Sequence, residues 1–364
     1  MRFPEFTDEW KKEQLGDIAD FSKGAGISKE QLSEKGEPCI LYGELYTKYK
    51  SEVIYDIISK TDIDSTKSVR SQANDVIIPS SGETAEDIAT ARCVLKNNIL
   101  LGGDLNIIRL HKHSGSFMSY QLNGKRKYDI AKVAQGVSVV HLYAEHLKGV
   151  NTYNPCMEEQ EKIARLLSLL DERIATQNKI IERYESLIRG IAQKIARNNK
   201  PNVLLAECLK CSSSTLQESD VCESGTYPVY GANGIIGYLD GYSTEDEAVH
   251  IIKDGSGVGT VYYVTGKCSA TGTLNTLQAK DGYLLQYLYY MLKVFNFEPY
   301  KTGMAIPHIY FKDYGKAKIF CPSYTEQLKY VGVLSAIDNK LSVELSILTN
   351  LSLQKQYLLR QMFI

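Results

Sequence analysis

The chain has 364 residues and carries 42 Lys and Arg against 43 Asp and Glu, so its formal charge at pH 7 is −1. This length allows two domains, each with a hydrophobic core of its own. The balanced charge excludes a protein that holds nucleic acid by excess positive charge alone, because each neutralised phosphate needs a Lys or Arg. The first residues lack the apolar run of a signal peptide, and no apolar stretch is long enough for a membrane span, so we expect a cytoplasmic protein.

The eight cysteines are scattered along the chain without a regular spacing, which is typical of a reducing compartment. Cys208 and Cys211 form an isolated CxxC pair, and structural zinc sites usually need a second pair of ligands. We therefore predict that the chain has no metal site.

The first predicted domain covers residues 1–155. Short β-rich runs such as 76–78 and 106–110 alternate with segments rich in Gly, Asn, Asp and Ser, which indicates mixed α and β structure. The segment 42–49 is polar and contains lysine and several tyrosines, so its rings and hydroxyl groups are candidates to face a ligand.

A long helix is predicted next, over residues 156–199. Apolar residues recur at alternating spacings of four and three from Ile163 to Ile195, and Gln177 interrupts the pattern once. This pattern is typical of a coiled-coil seam. Two amphipathic helices that each pack on their own domain are an alternative, but the length of the pattern favours two helices packed on each other as an antiparallel pair.

The second predicted domain covers residues 200–321. The runs 249–252 and 260–264 predict strands, and the segment 284–292 predicts a helix. The glycine-rich segment between the two strands lacks the Lys-Ser/Thr of a phosphate-binding loop, so we interpret it as a turn.

A second long helix is predicted over residues 322–364, and its apolar seam is interrupted at Glu344 and Lys355. This helix repeats the first one without a gap, because Pro155 aligns with Pro322 and Asp171 with Asp338 at one offset, 338 − 171 = 167. Gln177 and Glu344 are therefore equivalent positions near the middle of the two seams. We predict that they face each other and that this polar layer sets the register of the helices.

The repeat continues upstream of the helices, where residues 136–143 align with 303–310 at the same offset. Farther upstream Ile77 aligns with Ile251 at 174 and Tyr42 with Tyr230 at 188, so the first half has 188 − 174 = 14 extra residues in between. The predicted fold class is therefore α+β. It comprises two mixed α/β domains separated by two long antiparallel coiled-coil helices, with a pseudo-two-fold internal repeat.

The sequence segments that resemble catalytic motifs are each incomplete. The segment from Asn154 to Met157 lacks the second proline and the aromatic residue of the tetrad that holds a flipped adenine. His141 and His308 occupy equivalent positions, but no equally repeated Ser, Cys or carboxylate accompanies them. We expect these two histidines to be structural and the chain to be non-catalytic.

The duplicated residues have a counterpart in one known family, because the sequence resembles the specificity subunit of Type I restriction-modification systems over essentially its full length. The residues that carry the resemblance are the repeated Pro-x-x-x-Glu-Gln helix start, the Leu-x-x-x-Asp that follows it, the segment before the second helix and the glycine-rich turn: Pro155, Glu159, Gln160, Pro322, Glu326, Gln327, Leu167, Asp171, Leu334, Asp338, 307–311 and 253–259.

The resemblance implies a DNA-recognition subunit in which two target-recognition domains each read one half of a bipartite site in double-stranded DNA. The two long helices would hold the domains apart and dock two modification subunits, which bind S-adenosylmethionine and methylate adenine N6. Restriction subunits that use ATP and magnesium would join this complex for cleavage. No cofactor is expected on this chain, and the partner subunits would supply the phosphate contacts that its neutral charge cannot.

Base contacts are expected from loops that differ between the two halves, because repeated residues serve the shared scaffold. The DNA-binding candidates are Tyr46, Thr47, Lys48, Tyr49, Ser80, Ser81, Lys253 and Ser256. Two other functions stay open. A divergent stand-alone DNA methyltransferase or nuclease would bind S-adenosylmethionine by itself, and a coiled-coil scaffold for proteins would show no DNA preference.

Overall fold

The computed structural model describes residues 2–64, 66, 68–136 and 139–363. The chain forms two compact units, one made of Met1–Asn178 with Ser346–Ile364 and the other of Lys179–Leu345. In the part of the chain that is described, no helix combines the length and apolar character needed to cross a membrane.

The first unit combines short strands with short helices. Its strands are β1 (Lys11–Gln14), β2 (Ala19–Lys23), β3 (Leu32–Ser33), β4 (Glu37–Ile40), β5 (Val53–Ile54), β6 (Ser59–Thr61), β7 (Val69–Arg70), β8 (Asp75–Pro79), β9 (Ser81–Gly82), β10 (Arg92–Val94), β11 (Leu100–Leu101), β12 (Leu105–Leu110), β13 (Val140–His141) and β14 (Asn151–Asn154). Its helices are α1 (Leu15–Ile18), α2 (Glu44–Thr47), α3 (Ala85–Ile88), α4 (Gly115–Asn123), α5 (Lys127–Val133), α6 (Ala144–Lys148) and the first part of α7 (Met157–Asn198).

The central sheet of this unit has the order β2-β12-β8-β10-β5, and a second sheet has the order β3-β6-β4-β11-β7. Strand β8 is buried along its whole length. Successive side chains of a strand point to opposite faces, so Val76 and Ile78 pack with Phe117 of α4, while Ile77 packs against the second sheet. This two-sided burial explains why β8 is a continuous apolar run rather than an alternating one.

The second unit repeats the plan with fewer strands. Its strands are β15 (Val203–Leu204), β16 (Leu209–Ser213), β17 (Tyr227–Gly231), β18 (Gly234–Leu239), β19 (Glu247–Ile252), β20 (Val261–Thr265), β21 (Ser269–Ala270), β22 (Leu274–Ala279) and β23 (Lys318–Ile319). Its helices are the second part of α7, α8 (Leu205–Cys208), α9 (Leu285–Lys293), α10 (Phe311–Tyr314) and most of α11 (Tyr324–Gln361).

The sheet order β16-β22-β19-β20 reproduces β2-β12-β8-β10, with antiparallel pairs throughout, and β15-β23 reproduces β1-β14. The predicted α+β repeat is confirmed. The extra length of the first half lies in its second sheet, whose counterpart in the second unit has only the order β18-β17-β21. The glycine-rich segment predicted as a turn connects β19 to β20.

One detail of the predicted alignment is wrong by a residue. In the central sheets Asn106 pairs with Ile78, and its counterpart Asn275 pairs with Ile251. The structural offset is therefore 251 − 78 = 173, not 174, because strand pairing fixes the register and an alignment across loops does not. His250 is then the equivalent of Ile77, and Lys253 the equivalent of Ser80.

The long helices have the predicted seams. Every described seam position of α7 and α11 is buried or half-buried, including Gln177 and Glu344. In the first unit the end of α11 lies antiparallel to the first part of α7, because Lys355 pairs with Asp171, and Met362 clusters with Ile163.

Each helix is joined to its own domain by the same two contacts. The Gln160 side chain donates to the Pro155 carbonyl (2.8 Å) and accepts from the Ser114 amide (3.0 Å), and Gln327 makes the equivalent bonds to Pro322 and Leu284 (2.9 and 2.8 Å). A tyrosine hydroxyl also donates to the repeated aspartate in each unit, Tyr120 to Asp171 (2.7 Å) and Tyr290 to Asp338 (3.2 Å). The repeated residues therefore build the scaffold.

His250 makes the second unit sensitive to acid. The ring is fully buried, neither nitrogen has a hydrogen-bond partner among the described residues, and burial lowers the pKa of His250 to about 4. Because the pKa is depressed from about 6.5 in the unfolded chain, the stability of the neutral ring is present above that pH and is lost as the pH falls toward 4.

His250→Ile installs the residue found at the equivalent position, Ile77. We predict that this variant gains free energy of unfolding over the wild type, and that the gain is larger at pH 5 than at pH 7.5. The expected gain at pH 5 is about 2 kcal/mol from this linkage. Urea unfolding of both proteins at the two pH values measures it, with substitution of the exposed His111 by Gln as the control. An unchanged pH dependence in His250→Ile would contradict the prediction.

Candidate functional site

Each unit has an equivalent edge at the end of its central strand, β8 or β19. The backbone hydrogen bonds at this edge are the same in both units, but the side chains differ. In the first unit, the Leu142 amide donates to the Ser80 carbonyl (3.0 Å), and β9 pairs with β13 so that Ser81 lies opposite His141. In the second unit, the Ile309 amide donates to the Lys253 carbonyl (2.9 Å), and Asp254 lies opposite His308. The sequence candidates Ser80 and Lys253 therefore lie at equivalent places, where Ser80 is buried and Lys253 is half-buried, and Ser81 lies at the place of Asp254.

In each unit a glycine precedes the segment that carries the histidine, and its backbone conformation allows this pairing. Gly136 has φ +128° and Gly303 has φ +88°, values that L side chains rarely adopt. A Cβ atom there would lie 2.1 Å from the Val139 carbonyl oxygen in the first unit and 2.3 Å from the Ile306 oxygen in the second. The chain then forms a bridge between Gln135 and His141, or between Thr302 and His308, which fixes each histidine backbone.

The equivalent exposed side chains beyond this glycine are an aliphatic residue and a tyrosine. Val139 and Ile306 are 53% and 58% exposed, and Tyr143 and Tyr310 are each 46% exposed. Val137 and Ser138, which belong to the repeated segment, lie outside the described residues. Met304 of the second unit is fully exposed.

The chemistry of the two edges differs at the residue opposite the histidine. In the first unit this residue is Ser81, and the His141 ring stacks on Tyr143 at 6.1 Å. In the second unit the Asp254 carboxylate accepts from the Lys253 ammonium (2.8 Å) and from His308 Nδ1 (2.6 Å). The second edge therefore carries a charged cluster that has no counterpart among the described residues of the first edge.

The carboxylate of this cluster is ionised at neutral pH. Burial alone would raise the pKa of Asp254, but hydrogen bonds from Lys253 and His308 outweigh it, so that the pKa is lowered from its ordinary value. An ionised carboxylate accepts hydrogen bonds and donates none. Asp254 therefore accepts one hydrogen bond from each of these two partly exposed neighbours.

The turn that follows this cluster presents Ser256 to solvent. Gly255, with φ +96°, donates its amide to the Pro307 carbonyl (3.0 Å), and Ser256 is exposed beside it. The predicted candidates Lys253 and Ser256 thus lie on one turn that is bound to the segment carrying His308.

The segment 46–49 of the first unit is partly occupied by structural contacts. Lys48 pairs with the buried carboxylate of Glu44 (2.6 Å) and donates to Ser59 (2.9 Å), and the Thr47 hydroxyl donates to the Gly43 carbonyl. Tyr49 is only 6% exposed and packs in the core, which argues against a base contact by its ring.

Tyr46 is half-buried in the short helix α2. Thr47 and Lys48 border a cavity of about 640 Å³, together with Tyr42, Leu41 and Asp104. Tyr46, Thr47 and Lys48 remain predicted DNA contacts.

Asp254 and His308 are functional candidates that the sequence did not reveal as a pair. They are 54 residues apart, and nothing in their spacing indicates contact. The available signal was the repeat, which places a serine opposite one histidine and an aspartate opposite the other. Among the described residues no group of His, Cys, Asp and Glu is arranged to hold a metal ion.

Comparison with known proteins identifies a family that matches most of the chain and relatives that match parts of it. The family described as "Type I restriction modification DNA specificity domain" matches residues 7–186 and 205–351. The EcoprrI specificity subunit of a Type I restriction enzyme from Escherichia coli is 28% identical over 116 residues, which is 32% of this chain and 29% of that protein. The MjaVIII specificity subunit from Methanocaldococcus jannaschii is 25% identical over 199 residues, 54% of this chain and 43% of that protein. These matches span less than half the length of the two relatives.

Solved structures extend the likeness of the fold to the full chain. The S subunit of a Type I restriction-modification system from Mycoplasma genitalium has a TM-score of 0.68 at 19% identity, over 100% of this chain and 97% of that one. A structure solved for the complex assembly and conformational transition of the Type I system has a TM-score of 0.53 at 15% identity, over 98% and 97%.

Proposed function

Because the chain belongs to the family of Type I restriction-modification DNA specificity domains, we propose that it is the DNA-recognition subunit of such a system. Each unit would read one half of a bipartite sequence in double-stranded DNA. The observation that carries this proposal is an equivalent edge in each unit, where the same backbone pairing brings Ser81 opposite His141 in one unit and Asp254 opposite His308 in the other. A protein that reads two different half-sites needs such a pair of equivalent surfaces with different chemistry.

We propose that the reader docks two identical modification subunits. In support of this, the long helices expose apolar residues at equivalent positions, Met157 and Tyr324 at 39% and 50%, and Leu166 and Val333 at 37% and 55%. Exposed apolar residues in contiguous groups are typical of protein interfaces. Their repetition at one offset fits one kind of partner bound twice, and restriction subunits would join through these partners.

The proposed chain is non-catalytic, so S-adenosylmethionine would bind to the modification subunits, and ATP and magnesium to the restriction subunits. The near-neutral charge of the chain supports this division, since base reading needs few charges whereas phosphate binding needs many. We propose that the long helices set the half-sites roughly one DNA turn, about 10 base pairs, apart, with Gln177 and Glu344 fixing the helix register.

The proposal is tested by methyl transfer from labelled S-adenosylmethionine to DNA, measured for the modification subunit of the same genome with and without this chain. We expect sequence-specific transfer only when both are present. Transfer by this chain alone would instead indicate a stand-alone methyltransferase. Failure to join the modification subunit, together with the absence of any DNA preference, would indicate a protein-binding scaffold.

A further inference from the structure

We infer that His308 reads a base with an exocyclic amino group, adenine or cytosine, in the second half-site, and that Asp254 is the residue that positions it. This inference rests on the proposed function and assigns residues and a base class to it. Asp254 lies within the turn 253–256 that the sequence indicated, whereas His308 belongs to the repeated segment and was expected to be structural.

The backbone around His308 is fixed independently of any ligand. Its amide donates to the Thr302 carbonyl (2.7 Å), and its carbonyl accepts from the Thr302 amide (2.9 Å). The next residue, Ile309, is fully buried and donates its amide to the Lys253 carbonyl. The imidazole therefore starts from a rigid position, which is what a base-reading side chain requires.

The ring itself is anchored at one nitrogen. Nδ1 lies 2.6 Å from Asp254 Oδ1, and Asp254 is an ionised acceptor, so Nδ1 carries the proton and donates it. Among the described residues, Nε2 has no hydrogen-bond partner, and the side chain is 36% exposed. In the neutral ring, Nε2 is consequently a hydrogen-bond acceptor on a partly exposed side chain that is held at its other nitrogen.

An outward acceptor of this kind matches an amino group on a base edge. In the major groove the N6 amino group of adenine and the N4 amino group of cytosine are donors, whereas guanine and thymine present acceptors at the corresponding positions. The neighbouring Lys253 ammonium is held by the same carboxylate (2.8 Å) and lies ready to donate to an acceptor beside that base.

The surroundings of the ring also indicate a contact surface. The loop that precedes His308 exposes Met304 completely and Ile306 by 58%. The corresponding histidine of the first unit, His141, lies opposite Ser81, and within the described part of the chain no carboxylate bonds to its ring. Among the described residues, the anchored acceptor therefore distinguishes the second unit from the first.

The test uses the assembled complex of this chain with its modification subunit and a library of DNA sites with each base at each position. His308→Asn retains an amide donor for Asp254 but removes the outer nitrogen. We expect the preference for adenine or cytosine at one position of the second half-site to fall about 10- to 100-fold, the range of one specific base contact. The first half-site should keep its base preferences.

Two substitutions of Asp254 test its positioning role. Asp254→Asn retains an acceptor for Nδ1–H and should preserve most of the preference, whereas Asp254→Ser, which copies Ser81 of the first unit, should lose it. His141→Asn is the matched control, and it should leave the second half-site unchanged. Thermal unfolding of each variant checks that the second unit is folded.

The outcomes separate this inference from the proposed function. A wild-type complex without a bipartite preference would overturn the proposed function. A bipartite wild-type preference that His308→Asn leaves unchanged, or that it weakens equally at every base position, would overturn the reading role of His308 while the proposed function stands.

Discussion

Exchange of residues 200–321 for the corresponding domain of another family member is expected to change one half of the methylated DNA motif and to leave the other half intact. The two ends of the second domain contact each other at these boundaries. Asn202 donates to and accepts from the Cys321 backbone (2.8 Å each), and β15 pairs with β23 next to them. The exchange therefore carries a complete sheet and its closing contacts.

The measurement is sequencing of methylated bases in a host that expresses the chimera with the modification subunit. The reciprocal exchange of residues 1–155, whose ends meet in the β1–β14 pair, is the matched control and should change the opposite half. A change in both halves after either exchange would contradict independent reading by the two domains.

Replacement of Lys355 by Met is expected to destabilise the first unit by about 3–5 kcal/mol, the typical cost of removing one partner of a buried ion pair. The Lys355 ammonium lies 2.5 Å from Glu52 and 2.6 Å from Asp171, and all three side chains are largely buried. Without the lysine, two carboxylates face each other in the interior.

The stability lost in Lys355→Met should also depend on pH, and the pKa of Glu52 decides in which direction. Burial raises the pKa of Glu52, while Lys355 lowers it, so removal of the lysine raises the pKa further. A raised carboxyl pKa gives stability that is present at low pH and lost as the pH rises. The deficit of Lys355→Met in urea unfolding should therefore be larger at pH 8 than at pH 5.

Two variants serve as controls for this experiment. Lys340→Met removes an exposed lysine of the same helix and should cost little. The double substitution of Lys355 by Met and Glu52 by Gln should recover part of the loss. A deficit that is the same at both pH values would show that packing rather than charge dominates at Lys355.

The long helices were predictable because their signal is periodic and repeated. Helix α7 runs from Met157 to Asn198, within the predicted limits, and the seam from Ile163 to Ile195 is buried or half-buried throughout. The duplication also predicted that the two domains share one strand order, because repeated segments form equivalent strands that pack against equivalent helices.

Contacts between distant residues were not predictable. Lys355 was seen only as a polar interruption of a seam, because Glu52, its partner, lies 303 residues away in the sequence. Tyr49 was a candidate ligand contact because its neighbours are polar, but the fold turns its ring into the core. The pair of Asp254 and His308 depends on a bridge between two loops, which no local pattern records.

We propose that this chain reads two separate DNA half-sites for a methyltransferase that is active only with it. The most direct measurement is the methylated motif in a methylation-free host that expresses the modification subunit with and without this chain. We expect a single motif made of two defined half-sites around an unspecified spacer, and we expect it to disappear when the chain is omitted. A continuous motif, or the same motif without the chain, would contradict it.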